Sequence, residues 1–283
     1  KAIFAANKYF MSADQEMSFL NHLEALRWHL VRSVVAIIVV TIVVFSNKTF
    51  VFDTIIFGPK SADFPTFKAL CKLSDWLFIQ FPALMRSKDI LCIGQEPYEL
   101  QNIAMSGQFM THILVSVVGG LILAFPYIFW EIWRFIKPAL QASEKSYSRG
   151  VVFFTSLLFM FGVVFGYYII VPLSVNFFIT YNVSTQVVNL PTLSTYISTV
   201  TTIVLACGIV FELPIMVYFL TKVGLVTPEL LKKYRKHALI GALILSAIIT
   251  PPDVFSQLLV SVPILFLYEI SIFISRVIEK KEE

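Results

Sequence analysis

Apolar residues along this chain gather into long unbroken runs, unlike the alternation of a strand or the narrow stripe of a soluble helix. Six runs stand out, near Leu30–Phe45, Phe109–Trp130, Val151–Phe178, Tyr196–Leu220, Ala238–Thr250 and Phe255–Ile274. Each predicts a membrane-spanning helix, because hydrocarbon offers backbone N–H and C=O groups no partner and a helix satisfies them within one segment. The fifth run has only 13 residues, roughly 20 Å of helix against a hydrocarbon core of roughly 30 Å. The sixth is interrupted by Pro263 and Glu269, which leaves a similarly brief clean run, and Pro251-Pro252-Asp253 forms the turn between the two. Such a short pair thins the bilayer locally or makes polar groups snorkel, whereas the over-long third run predicts a tilted helix. Pro126, Pro172, Pro214 and Pro263 lie in or near the runs. They fit bent helices, and equally the general abundance of proline in membrane spans. The predicted fold is an all-α integral membrane protein of six helices, kinked and tilted into a concave assembly, with helices 5 and 6 short.

Composition agrees. Of 283 residues 57% are hydrophobic and 14% charged, with 27 Phe and a mean hydropathy of +0.79. A soluble domain carries about a quarter charged residues, and disorder, coiled coil, collagen and a disulfide-dense secreted module conflict with the same figures. Sixteen of the 22 Lys and Arg residues precede or open helix 1, lie between helices 2 and 3 or between helices 4 and 5, or form the tail; the other six, Lys48 to Lys88, lie in one long loop. The positive-inside rule therefore places both termini in the cytoplasm and the loop at about 46–107 outside. The expected organisation is an N-terminal extension (1–17), one six-span domain (18–276) and a cytoplasmic tail (277–283). Ser46-Asn47-Lys48 shows no small-residue cleavage pattern, so helix 1 is expected to be retained.

Cys71 and Cys92 both fall in the outer loop, where an oxidising compartment permits a bridge contributing about 3 kcal/mol; two free thiols under an apolar cap are the alternative. Cys207 reads as packing. Glu212 in helix 4 and Glu269 in helix 6 are expensive in a bilayer, at least ~2.5 kcal/mol each if charged and unpaired at its centre. Both read as cavity-lining groups, with snorkelling to the surface as the alternative for Glu269. His112 and Gln257 read as interhelical hydrogen-bonding groups. Ahead of helix 1, Phe19, Leu20, Leu23, Leu26 and Val31 recur at three and four, predicting an amphipathic helix on the membrane surface capped by Ser18. After helix 2, a basic aromatic segment from Glu131 to Leu140 leads to Glu144, a carboxylate suited to docking a cationic peptide or simply a solvated charge.

Together, His22-Leu23-Glu24-Ala25-Leu26-Arg27, the run Trp133 to Leu140 with Glu144, Phe211-Glu212-Leu213-Pro214, Thr250-Pro251-Pro252-Asp253-Val254-Phe255-Ser256-Gln257 and Tyr268-Glu269-Ile270 resemble the TatC family. TatC is the receptor subunit of the twin-arginine translocase, and the likeness runs in order from about Ser18 to Arg276. The resemblance implies a signal-peptide receptor and scaffold that exports folded proteins using the proton-motive force. Its implied partners are TatA- and TatB-type single-span proteins in an oligomeric complex of the inner membrane. It implies a peptide site at Glu144, Arg27, His22, Glu24, Ala25, Phe135 and Pro138. Partner contacts are implied at Thr250, Pro251, Pro252, Asp253 and Gln257. Two cytoplasmic carboxylates read the arginine pair in that family, and forked acceptors suit guanidinium better than ammonium.

One departure matters. The family motif reads H-L-x-E-L-R, and Ala25 occupies the position of its glutamate. Glu24 cannot simply substitute, because one residue rotates a side chain about 100° around a helix. The pocket is completed differently, or Ala25 is an altered position, or peptides bind weakly. The outer loop is also longer than usual for the family, which fits a cap or a docking surface. Within it Trp76, Phe78 and Phe81 are expected to pack into the loop's own core rather than at the membrane interface.

A proton-coupled small-solute transporter using Glu212 is the competing reading, though the two halves show no repeat. An enzyme is not expected: His22, His29, His112 and His237 form no metal-binding pair, and there is no nucleophile elbow or phosphate loop. No cofactor, metal or nucleic-acid partner is predicted.

Overall fold

The computed structural model describes residues 19–81, 91–94, 98–136, 148–184, 186, 189–249 and 254–282. Helix α1 runs from Phe19 to Ser46. No Gly or Pro interrupts it, so the segment expected on the membrane surface continues straight into the first span. One stripe of α1, comprising Ala25, His29, Ser33, Ala36 and Val44, turns away from the surroundings, whereas Val34, Ile38 and Ile42 are more than half exposed and face the lipid position. The stripe packs on α3 (Gly107–Ile136). Gly120 makes this close approach possible, since a Cβ there would lie 3.0 Å from the backbone nitrogen of Thr41.

Helix α4 (Ser148–Phe165) continues through a π-helical turn, Gly166–Ile170, into α5 (Val171–Thr180). Widening the ladder just before Pro172 bends the long third span without ending it. Helix α6 (Leu193–Val210) is separated from α7 (Leu213–Lys222) by a turn at Phe211 and Glu212, with Pro214 in the first turn of α7. Gly162 lets α4 cross α6 there: an added Cβ would meet the Cys207 carbonyl oxygen at 2.6 Å. Ile170, Val171, Ile197, Val200 and Ile203 form the buried centre, and Phe125 of α3 stacks on buried Phe159 of α4 at 3.6 Å. Cys207 is buried as packing.

Short α8 (Pro228–Lys233), capped by the Thr227 hydroxyl, precedes α9 (Arg235–Ile249), and α10 (Val254–Glu282) completes the chain. Among the described residues, five helical stretches are long and apolar enough to cross a membrane: 23–46, 107–136, 150–180, 193–222 and 257–280. With 15 residues α9 is the short fifth helix that the hydropathy runs predict. Helix 6 differs from expectation, because α10 passes through Pro263 and Glu269 for 29 residues. An internal proline removes one ladder bond, and the continuous packing of α10 along α7 and α9 carries the helix across that loss.

The start of α1 and the end of α3 meet through His29 and Glu131, while Phe45 and His112 meet at their other ends. Thr221 at the end of α7 bonds Ser275 near the end of α10 at 2.9 Å. These contacts define an inner face, where α1 begins and α10 ends, and an outer face carrying the long loop. On the outer face lie a π-helical turn at Phe50–Ile56, a 3-10 turn at Gly58–Lys60, and α2 (Pro65–Gln80). Cys71 and Cys92 are joined by a disulfide with their Cα atoms 4.4 Å apart. Tyr167 and Tyr196 donate to the Ile55 and Ile56 carbonyls at 2.6 and 2.8 Å. A parallel bridge between Gln101 and Thr192 ties the loop to the start of α6. Phe64 and Phe67 fill the loop's core, whereas Trp76 and Phe81 are 55% and 50% exposed, so the expectation that those two pack inward fails. Helix α2 turns that side outward because its inner side is already occupied by Phe67 and Ser74.

Candidate functional site

The inner face is built where α1 meets α3. Glu131 is one side of the site. Its side chain is 1% exposed, its Oε2 accepts from His29 Nδ1, and its Oε1 accepts from the Tyr127 hydroxyl at 3.1 Å. Arg32 lies 3.8 Å from Oε2 with a half-exposed side chain. A buried carboxylate is tolerated only when bonded in this manner. Phe135 approaches the His29 ring edge-on at 6.0 Å, and Arg134 sits over the Trp130 ring at 5.5 Å. Arg32 and Arg134, both exposed, leave the face positive around this sealed acid.

Among the sequence-predicted peptide residues, Ala25 lies one turn before His29 on the half-buried side of α1, while Glu24 and Arg27 are exposed on another side. The rotation that disqualifies Glu24 is therefore present in the helix. Phe135 joins the cluster through His29. His22 lies in the first turn of α1, and Pro138, Glu144, Thr250, Pro251, Pro252 and Asp253 fall outside the described residues.

The intramembrane polar residues are separated. Glu212 sits half-buried at the α6–α7 break, and its Oε1 is enclosed without a hydrogen-bond partner. Gln257 donates to the Leu243 carbonyl at 2.9 Å, tying α10 to α9. Glu269 accepts from Arg235 at 2.7 Å with both side chains about half exposed, so pairing with α9 joins the snorkelling that its position suggests. His112 is the interhelical group expected of it, 3.1 Å from the Phe45 carbonyl and stacked on the Phe45 ring.

An apolar cavity of about 450 Å³ lies between α1, the Phe50–Ile56 turn, α3, α4 and α6, walled by residues such as Val43, Val115, Ile122, Val164 and Val204. Neither Glu212 nor Gln257 lines it. A second, polar cavity of about 760 Å³ opens at the outer face among Lys48, Asp53, Lys60, Glu99 and His112. Beside it the Lys60 ammonium sits 5.5 Å above the Tyr98 ring, and burial pushes the Tyr98 phenol above its ordinary range.

Comparison with known proteins decides what this architecture is. The family described as Sec-independent protein translocase protein (TatC) matches residues 21–263. The chain belongs to the TatC family. A TatC of Blattabacterium from Periplaneta americana is 43% identical over 94% of this chain and 98% of its own length, and that of Aquifex aeolicus is 34% identical over 94% and 98%. A crystal structure titled twin arginine translocase receptor TatC superposes with a TM-score of 0.68 at 32% identity, covering 90% of this chain and 98% of that one. These TatC relatives are called translocase proteins, and nothing in the comparisons favours a small-solute transporter. As a TatC the chain is a multi-pass membrane component of protein transport.

The residue that sequence reasoning missed is Glu131. A signal for it exists: Ser116, Gly120, Ala124 and Glu131 are buried on α3, where Gly120 meets Thr41 and Glu131 meets His29 of α1. A carboxylate on a small-residue stripe opposite a histidine predicts a buried pair.

Proposed function

We propose that this chain is the signal-peptide receptor and core scaffold of a twin-arginine translocase in the inner membrane, with both termini cytoplasmic. It captures paired arginines on folded cargo and works with TatA- and TatB-type single-span partners in an oligomeric complex driven by the proton-motive force. The observation that carries this reading is the likeness to a TatC receptor structure over 90% of this chain. Glu144 supplies the acceptor for one guanidinium, and His22, Glu24 and Pro138 belong to the same peptide site. The apolar cavity has no carboxylate or histidine in its wall, which suits an apolar peptide helix better than a transported ion. Glu212 and Glu269 are polar points at membrane depth, and Thr250 to Asp253 with Gln257 form the contact for a partner helix. The short α9 thins the bilayer beside it.

Photo-cross-linking to peptides carrying Arg-Arg or Lys-Lys tests this on the chain and on Ala25→Glu. Labelling by Arg-Arg should exceed Lys-Lys in both and rise in Ala25→Glu. Equal labelling by the two peptides in both proteins overturns the reading.

A further inference from the structure

The acid absent at Ala25 has a neighbour that supplies the same chemistry from another helix. Ala25 and His29 stack one turn apart on α1, and His29 is bonded to Glu131 of α3. The carboxylate is thus bonded to the residue one helical turn past the position of Ala25, from across the helix pair instead of along α1. Both of its nearby cationic groups come from the same stretch of α1.

The bonding around Glu131 is of a replaceable kind. His29 offers Oε2 a single N–H, its side chain is 15% exposed, and it is the weakest base among the cationic side chains. Arg32, at 3.8 Å, is too far for a hydrogen bond and its side chain is 47% exposed. A guanidinium entering from the inner face would meet an acceptor already stripped of water, give forked donors where the imidazole gives one, and find the Phe135 ring as a flank. The exchange leaves no buried charge unpaired, because one donor leaves as another arrives. An ammonium brings the charge without the fork or the stacking plane.

We propose that Glu131 is a second guanidinium acceptor of this receptor, with His29 a placeholder that yields to an arginine of the bound peptide. The proposal rests on the arginine-pair reading above. The test measures the affinity of labelled Arg-Arg and Lys-Lys peptides for the full chain in nanodiscs, with Glu131→Gln, His29→Asn, Glu131→Gln with Ala25→Glu, and Glu144→Gln, each checked by thermal unfolding. Loss of a charge-assisted bond predicts that Glu131→Gln weakens Arg-Arg binding about tenfold or more. Lys-Lys binding should change less than about threefold, corresponding to a bond it does not make. Adding Ala25→Glu should recover most of the loss, and His29→Asn should tighten Arg-Arg binding. A clamp that merely holds α1 on α3 would weaken both peptides alike and would not be rescued at position 25; that result, or unchanged affinity in Glu131→Gln, overturns the proposal. If Glu131→Gln does not fold, His29→Asn decides alone, and unchanged or weaker Arg-Arg binding overturns it. Arg-Arg preference lost in Glu144→Gln but kept in Glu131→Gln defeats this inference only, whereas no preference in the unmodified chain and no effect of Glu144→Gln defeats the receptor reading as well.

Discussion

Glu131 and Glu212 are both carboxylates within long apolar helical stretches, and the chain treats them in opposite ways. Glu131 is sealed, and each of its oxygens has a donor on a neighbouring side chain. Glu212 sits where α6 gives way to α7, half-buried, with one oxygen enclosed and unbonded. The first acid is integrated into the helix interface that positions it. The second is held by a backbone break and is left with unmet hydrogen-bonding capacity. The difference teaches that membrane depth alone does not set how an acid is held; the supply of donors on the facing helix does.

The contrast predicts a graded set of stabilities, readable by thermal or chemical unfolding in one detergent. Glu131→Ala should have the largest effect, a loss of about 3 to 5 kcal/mol, because it breaks the pair of a buried carboxylate with His29, whose side chain is 15% exposed. Next comes the outer tie: Cys71→Ser with Cys92→Ser opens a loop with 21 residues of sequence separation, and should cost about 3 kcal/mol while leaving peptide affinity at the inner face intact. Glu212→Gln should shift stability by less than about 1 kcal/mol, since it keeps the side chain's shape and disturbs no bond to its enclosed Oε1. A loss as large as that of Glu131→Ala would erase the distinction. Smallest should be Arg235→Gln, which breaks a half-exposed pair with Glu269 and should cost at most about 1 kcal/mol, less at high salt.

Much of the fold was legible because lipid imposes one requirement on every span, and the apolar runs record it without help from tertiary context. The fifth helix, from Arg235 to Ile249, was legible for the same reason. The sixth was misjudged at Pro263 and Glu269, where side-by-side packing and the Arg235 contact outweigh local breakers. Helix 1 was divided because its polar first turns look like a surface segment, although no residue there stops a helix. At the site, family likeness drew attention to Ala25 and Phe135, but Glu131 was grouped with the segment after the second span, whereas it lies within α3. Its role becomes visible when the small-residue stripe of α3 is laid against the His29 stripe of α1, a relation between two helices that neither run displays alone. The mouth of the apolar cavity was likewise invisible, since its wall draws on four helices and a turn distant in sequence.

The ties at the outer face are a covalent bond, a backbone bridge and two tyrosine hydroxyls on main-chain carbonyls. Near the inner face, side-chain contacts such as His29 with Glu131, Thr221 with Ser275 and Arg235 with Glu269 join the helices. A frame riveted along one rim and laced along the other yields at the laces first.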